Sequence, residues 1–459
     1  MLRELSGKID TRPLHRAVRV FLIAATLLSL CVFMTAWDPM ISILSSPRPT
    51  ASLRKSSSND TLSYMKAIPW LEPSSADRES VERSKAIAFL IHSISNILVI
   101  EPAVPVSRNC SAPPALPVVD SKLCKMYPDG LTGEVRKNGP VKIGHMVLFS
   151  FEVDVLEVHL NELYDVVDHF FILESTRTNL DAVPKPLIWE KIRHQPRFRK
   201  FANKIVHFVM DDIDFDSKTS SGSGGIWRQE GLQEAFRFDK FLEWNENQKD
   251  PYSDSDLIGF GDTDEVAYRN NVWLLKHCTP KNDMTDIGIW FPWVTLTSAL
   301  RTDFPASSSY PFTLGDPTFY TIGKAKAVKE SGKTPSRNRG YSGNFLLGGM
   351  HMTRAPSLPY MILETLTCTE CTMWYSEEFA KKVSDVTLNS RTIDELVDWW
   401  RNWHVQAQPP NRSVPVSDLS EKDRNDIVRI PWFLQCNIDR YPYWEGRHDP
   451  RLDVAPPRY

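Results

Sequence analysis

Residues 257–265, LIGFGDTDE, read as a short buried strand, Leu257 to Phe260, that ends abruptly in acid at Asp262, Asp264 and Glu265. Carboxylates one residue apart, just past a strand, can be aimed by one backbone turn at one point. Hard oxygen ligands in that pattern suit Mg²⁺ or Mn²⁺. Such a cation can bridge the two phosphates of a nucleotide sugar and neutralise the charge that develops on the departing diphosphate. The plain alternative is an acidic cap between strand and helix. A rival chemistry uses the same letters, with Asp262 as the nucleophile of a haloacid-dehalogenase-type phosphatase. In that fold the motif ends the first core strand, whereas here three strand-and-helix units precede it.

Those units begin at His145. The apolar run HMVLFSF leads into a helix opened by Asp154, with Leu156, Leu160, Leu163 and Val167 at helical spacing. The run VDHFFILE follows, then a helical stretch from Trp189 to Phe201, the run KIVHFVM (Lys204 to Met210), and a helix from Trp227 to Trp244. Continuous apolar strands alternating with helices predict a mostly parallel sheet covered on both faces, with ligands beyond the carboxyl ends of the strands. Glu174, Ser175 and Arg177 follow the second strand and are placed to face a nucleotide, or Glu174 caps the turn. Arg228 and Glu230 begin the helix before the acidic strand, where Arg228 either meets a diphosphate or makes an exposed first-turn ion pair. After Asn271 the texture becomes aromatic and irregular. The polar, Lys- and Arg-rich stretch from Lys324 to Arg339 reads as a mobile loop, and a helix from Ile393 to Val405 packs Trp399, Trp400 and Trp403 into a core.

The 459 residues are 42% hydrophobic and 24% charged, the composition of a globular protein, and 54 basic against 57 acidic residues leave no block of positive potential for nucleic acid. Residues 20–37 (VFLIAATLLSLCVFMTAW) are apolar, uncharged and long enough to span a bilayer. Arg3, Lys8, Arg12, Arg16 and Arg19 precede them and the next basic residue is Arg48, so the N-terminus is expected in the cytosol and the rest in the lumen. A cleaved signal peptide is the competing reading. Expected boundaries are a cytosolic tail (1–19), a transmembrane signal anchor (20–37), a Pro- and Ser-rich luminal stem with one helix near residues 81–99 (38–140), and a catalytic domain (141–459). Outside Cys31 in the span, six cysteines remain that an oxidising lumen would allow to pair. Asn59, Asn109 and Asn411 begin N-x-S/T triplets.

Three motifs together resemble glycosyltransferase family 17, in order and in spacing. FEVDVLEVHLNELYDVVDHFFILEST (151–176) is similar to the family's opening strand, helix and strand, VPKPLIWE (183–190) to its Pro-containing turn, and GDTDEVAYRNNVWLLK (261–276) to its acidic motif and following helix. The resemblance covers roughly residues 141–355. It implies a GT-A-type, Rossmann-like α/β fold on a single-pass type II Golgi membrane protein. It also implies inverting transfer of N-acetylglucosamine from UDP-N-acetylglucosamine to a glycan hydroxyl, in β-1,4 linkage to a mannose of N-glycans in the family's best-known member. Asp262 and Asp264 would then stand at the metal-bound diphosphate. Around Gly348 to Met352 the chain resembles the family's Gly-Trp-His-Cys segment, but Met350 and Met352 replace Trp and Cys, a departure that bears on the acceptor. His351 there is a candidate for phosphate or acceptor contact, against a satisfied core histidine. A single displacement also needs a general base, for which Glu265, Asp316 and Glu364 are the candidates. Two other readings remain: another UDP-sugar donor, and a catalytically silent Golgi protein that binds glycans.

Overall fold

The computed structural model describes residues 88–451 except 89–90, 93, 111, 181, 212–226, 294, 303–304, 339–342, 354–356, 369–412, 448 and 450. The expected span at 20–37, the helix at 393–405, Cys31, Cys371 and the triplets at Asn59 and Asn411 lie outside the described residues. Among the described residues no helix is long and apolar enough to cross a membrane.

A short helix α1 (Ser121–Lys125) and strand β1 (Leu131–Val135) precede the alternating region read from sequence. That region is β2 (Ile143–Phe149), α2 (Val153–Leu163), β3 (His169–Ser175), α3 (Ile188–Ile192), α4 (Pro196–Arg199), β4 (Ile205–Met210), α5 (Arg228–Glu246) and β5 (Leu257–Asp262). Next come β6 (Glu265–Ala267), α6 (Arg269–His277), β7 (Cys278–Pro280), β8 (Met284–Trp290), β9 (Ser298–Leu300), β10 (Thr313–Thr321), α7 (Ile322–Glu330), β11 (Phe345–His351) and α8 (Leu358–Thr367). Strand β12 (Ser413–Pro415) and helices α9 (Glu421–Ile427) and α10 (Trp432–Cys436) follow.

Eight strands form one sheet in the order β4-β3-β2-β5-β10-β8-β11-β6. Its first half is parallel, as the alternation predicts. The other half is mixed, with β10 antiparallel to both neighbours, β11 parallel to β8, and β6 antiparallel to β11. The expected irregularity after Asn271 is therefore corrected to strands. A register shift between Gly315 and Thr318 and a proline inside β10 hide that strand's periodicity. The Lys324–Arg339 stretch is also not a loop throughout, because its first half is helix α7, capped by the Thr321 hydroxyl.

The sheet has to curl. Strands β5 and β6 stand four positions apart, about 19 Å in a flat sheet at roughly 4.8 Å per strand. Yet the chain from Asp262 to Glu265 reaches at most about 11 Å. Curling brings edge strand β6 back beside the end of β5.

Helix α2, buried along all eleven residues, is the centre of the larger core. Its acids are paired: Asp154 with Arg197 at 2.9 Å and Arg451 at 2.7 Å, Glu157 with Arg440 at 3.0 Å and Arg197 at 3.3 Å. Buried charge is tolerated only with such partners. The last part of the expected stem is not a spacer. Ile91, Ile94 and Leu98 enter the main core, β1 pairs with β7, and disulfides join Cys110 to Cys436 and Cys124 to Cys278. The segment carries enough apolar side chains to bury, and its prolines shape loops on the domain surface.

Glu162 ties two helix N-termini together, its carboxylate accepting from the backbone N–H of Arg269 at 3.1 Å and of Trp432 at 2.8 Å. Burial outweighs those bonds and pushes its pKa up to about 7. A carboxyl whose folded pKa exceeds its unfolded value of about 4.3 binds more proton in the native state. Its contribution to stability is therefore present at low pH, is lost progressively as pH rises toward about 7, and is flat above that. Thermal unfolding of wild type and Glu162→Gln across this window is expected to show a smaller fall with rising pH in the variant. Parallel curves would contradict this role.

Candidate active site

The acidic turn is gripped from three elements. Thr263 donates to the Leu148 carbonyl at the end of β2, through its backbone N–H at 3.0 Å and its hydroxyl at 2.6 Å. The Asp264 carbonyl accepts from Met352 N–H at 2.6 Å, just past β11. From α2, His159 Nδ1 lies 2.8 Å from the Thr263 carbonyl and must donate to it, since a carbonyl only accepts. In the neutral ring Nε2 then accepts, from His145 Nδ1 at 3.3 Å. Both rings are held neutral: burial lowers His159 to about 4 and His145 well below the ordinary histidine value. The chain also passes too close here for a side chain at 261, where a Cβ would stand 2.9 Å from Pro317 and 3.2 Å from Glu265.

Around this turn the carboxylates share one cation that sequence reading missed. Arg337, its side chain 3% exposed, donates through Nη1 to Asp262 and to Glu265 at 3.0 Å. Its Nη2 donates to Glu230 at 2.9 Å and its Nε to Glu234 at 3.1 Å. Glu234 is also bonded to Arg237, whose Nη1 donates to the Gly261 carbonyl at 2.9 Å. Glu265 turns its other oxygen to the Asp262 N–H at 2.8 Å. Asp262 Oδ1 is buried and has no hydrogen-bond partner. Burial pushes the Asp262 pKa well above the carboxylate range; Arg337 opposes this, and Glu265, Asp264 and Glu230 reinforce it. Arg337 is shifted the other way, well above the ordinary arginine value, by Asp262 and the three glutamates despite burial. Burial works against ionised Asp264 too, but His351, with Nε2 3.4 Å from Oδ2, brings its pKa below the ordinary value.

Of the residues selected from sequence, the fold brings Asp262, Asp264, Glu265, Glu230 and His351 together. His351 stands opposite Glu265 in the β11–β6 register. Glu174 is fully buried and spent on a cap, accepting from the N–H of Ile188 and, at 3.2 Å, of Trp189, with His207 at 3.2 Å and Lys185 at 3.8 Å. That is the capping alternative, and it points no carboxylate outward. Arg177 follows β3 and bridges Pro184 through its backbone, and Arg228 is exposed on the first turn of α5. Met350 and Met352 are fully buried, so the departures from the family segment are core packing. Arg237 had a legible signal, an arginine between Phe236 and Phe238 on an apolar helix face. Arg337 had none, lying in a polar stretch with no period.

No three His, Cys, Asp or Glu side chains among the described residues already surround one metal position. The orphaned Asp262 Oδ1 is nevertheless a hard oxygen of the kind that suits a divalent cation. The fold is thus a mixed α/β sheet with paired carboxylates just beyond a central strand. Residues 115–287 match the family model of Glycosyltransferase family 17, which supports the resemblance read from the sequence and, with it, a glycosyltransferase activity. No curated protein matches the chain.

His159→Phe keeps a ring of similar shape but removes the donor to Thr263. The buried carbonyl left without a partner is expected to cost about 1–3 kcal/mol in denaturant unfolding. Unchanged stability would show that the histidine does not latch the turn.

Proposed function

We propose that the enzyme transfers N-acetylglucosamine from UDP-N-acetylglucosamine, with inversion, to a hydroxyl of a glycan, a β-1,4 linkage to an N-glycan mannose being the one the family resemblance favours. The observation that carries the reading is the acidic turn at the carboxyl edge of a sheet whose first half lies in the matched family region. This is where a GT-A fold would hold its nucleotide sugar, and the family implies a nucleotide-sugar donor and a glycan acceptor. Asp262 and Asp264 are the residues that would hold Mn²⁺ or Mg²⁺, which supplies Lewis-acid assistance to the diphosphate leaving group. Glu265 and Arg337 orient Asp262, and His351 orients Asp264. Among the expected bases, Glu265 and Asp316 are almost fully buried. Glu364, partly exposed on α8 and bonded to the Thr353 hydroxyl at 3.1 Å, supports proton removal from an acceptor best. It lies within electrostatic reach of Tyr360, as does Asp264.

The two disulfides support a luminal, Golgi placement behind the anchor at 20–37. In intact microsomes the folded domain is then expected to resist added protease until detergent is present. Digestion without detergent would refute that orientation.

A screen of UDP sugars for UDP release, with Mn²⁺ and without acceptor, is expected to give slow hydrolysis of UDP-N-acetylglucosamine. Release from a different sugar would reassign the donor, and none from any would favour a silent glycan-binding protein. Asp262→Asn and Asp264→Asn preserve shape and remove charge, so each is expected to lower turnover about 100-fold or more. Full turnover in both variants would remove the acidic turn from the mechanism.

A further inference from the structure

Arg337 directs its guanidinium at protein carboxylates. Nε donates to Glu234, Nη1 to Asp262 and Glu265, and Nη2 to Glu230 at 2.9 Å, so four of its five N–H groups are spent on protein carboxylates. The backbone on either side is fastened to the sheet. The Ser336 carbonyl accepts from the Tyr320 hydroxyl at 3.0 Å, and Asn338 donates from its N–H to Thr318 Oγ1 at 2.9 Å and from Nδ2 to Asp286 at 3.0 Å. Arg337 is thus held in the pocket by its own chain, independently of the carboxylates it meets. Four carboxylates, those of Glu230, Glu234, Asp262 and Glu265, converge on this one guanidinium, with Arg237 beside them on Glu234. The one orphaned oxygen, Asp262 Oδ1, belongs to the same carboxylate whose other oxygen Arg337 already holds.

We propose that Arg337 is the resident counter-ion of the donor site, a fixed positive charge that shares Asp262 with the divalent cation and weakens the cation's binding while no nucleotide is present. A cation on Oδ1 would stand only a few ångströms from the guanidinium on Oδ2, and like charges at that range in a partly buried site repel strongly. Metal alone therefore binds weakly. A donor diphosphate, bringing its own negative charge, offsets the repulsion, so metal and nucleotide sugar are taken up together. The inference rests on the donor-site reading above.

Isothermal titration calorimetry with Mn²⁺ alone, on wild type, Arg337→Gln and Arg337→Lys, separates the possibilities without measuring turnover. Arg337→Gln removes the charge and is expected to bind Mn²⁺ at least about tenfold more tightly than wild type. Lysine keeps one charge but cannot span four carboxylates, and an intermediate rise of about threefold is expected for it. Equal or weaker binding in Arg337→Gln would overturn the proposal and leave Arg337 as a strut that positions Asp262. Should Arg337→Gln not fold, the lysine variant decides alone: a rise supports the proposal and an unchanged or reduced affinity overturns it. Wild-type UDP release keeps the two readings apart, since an active enzyme without the tightening sinks only the counter-ion, and absent release from every UDP sugar sinks the donor site.

Discussion

Thr263 and Asp264 are all the chain that separates β5, in the middle of the sheet, from β6 at its edge. A flat sheet cannot satisfy that connection, so the mixed half curls until β11 and β6 return to the carboxyl end of β5. The same constraint places His351 and Met352 against the acidic turn and sets Leu148, at the end of β2, beneath it. The carboxylates of Asp262 and Asp264 are therefore fixed by long-range topology. Local turn preference alone would leave such a pair free to splay.

Two kinds of buried charge divide the labour in this molecule. Around α2, Asp154 and Glu157 are matched by Arg197, Arg440 and Arg451, side chains from α4 and from the C-terminal segment. Those matched sets lock distant parts of the chain together, and removing one partner would leave an uncompensated charge in the core. At the turn the arrangement is different. Glu230, Glu234, Asp262 and Glu265 converge on the single guanidinium of Arg337. The neutral pair His145 and His159 sits just behind it, contributing a hydrogen bond and no charge.

The strand and helix pattern from His145 to Phe260 was legible because each strand is a continuous apolar run and α2 and α5 each line an apolar face at helical spacing, although the single helix expected from Trp189 to Phe201 is two short ones, α3 and α4, parted before Pro196. The acidic turn was legible because Asp-x-Asp is contiguous. What depends on contacts between distant segments was not. Arg337 comes from residues with no period, and its role exists only because α7 and β10 carry it back to β5. The packing of residues 91–135 was hidden by prolines that read as a spacer, although Cys110 and Cys124 pair with Cys436 and Cys278 far along the chain. Glu174 shows the converse: a carboxylate at the end of a strand looks like a ligand contact, and only its buried bonds to Ile188 and Trp189 reveal a cap.

Hydrogen–deuterium exchange with and without UDP-N-acetylglucosamine and Mn²⁺ tests the central claim most directly, because it locates the ligand without relying on turnover. The account predicts slowed exchange in the segments that meet at the turn: the end of β2 with the start of α2, residues 261–267, and the segment around Arg337. A separate cavity of about 340 Å³, lined by Tyr268, Arg269, Arg429 and Trp432, lies outside that set. Protection confined to the walls of that cavity, with exchange at residues 261–267 unchanged, would contradict the placement of the donor at the acidic turn.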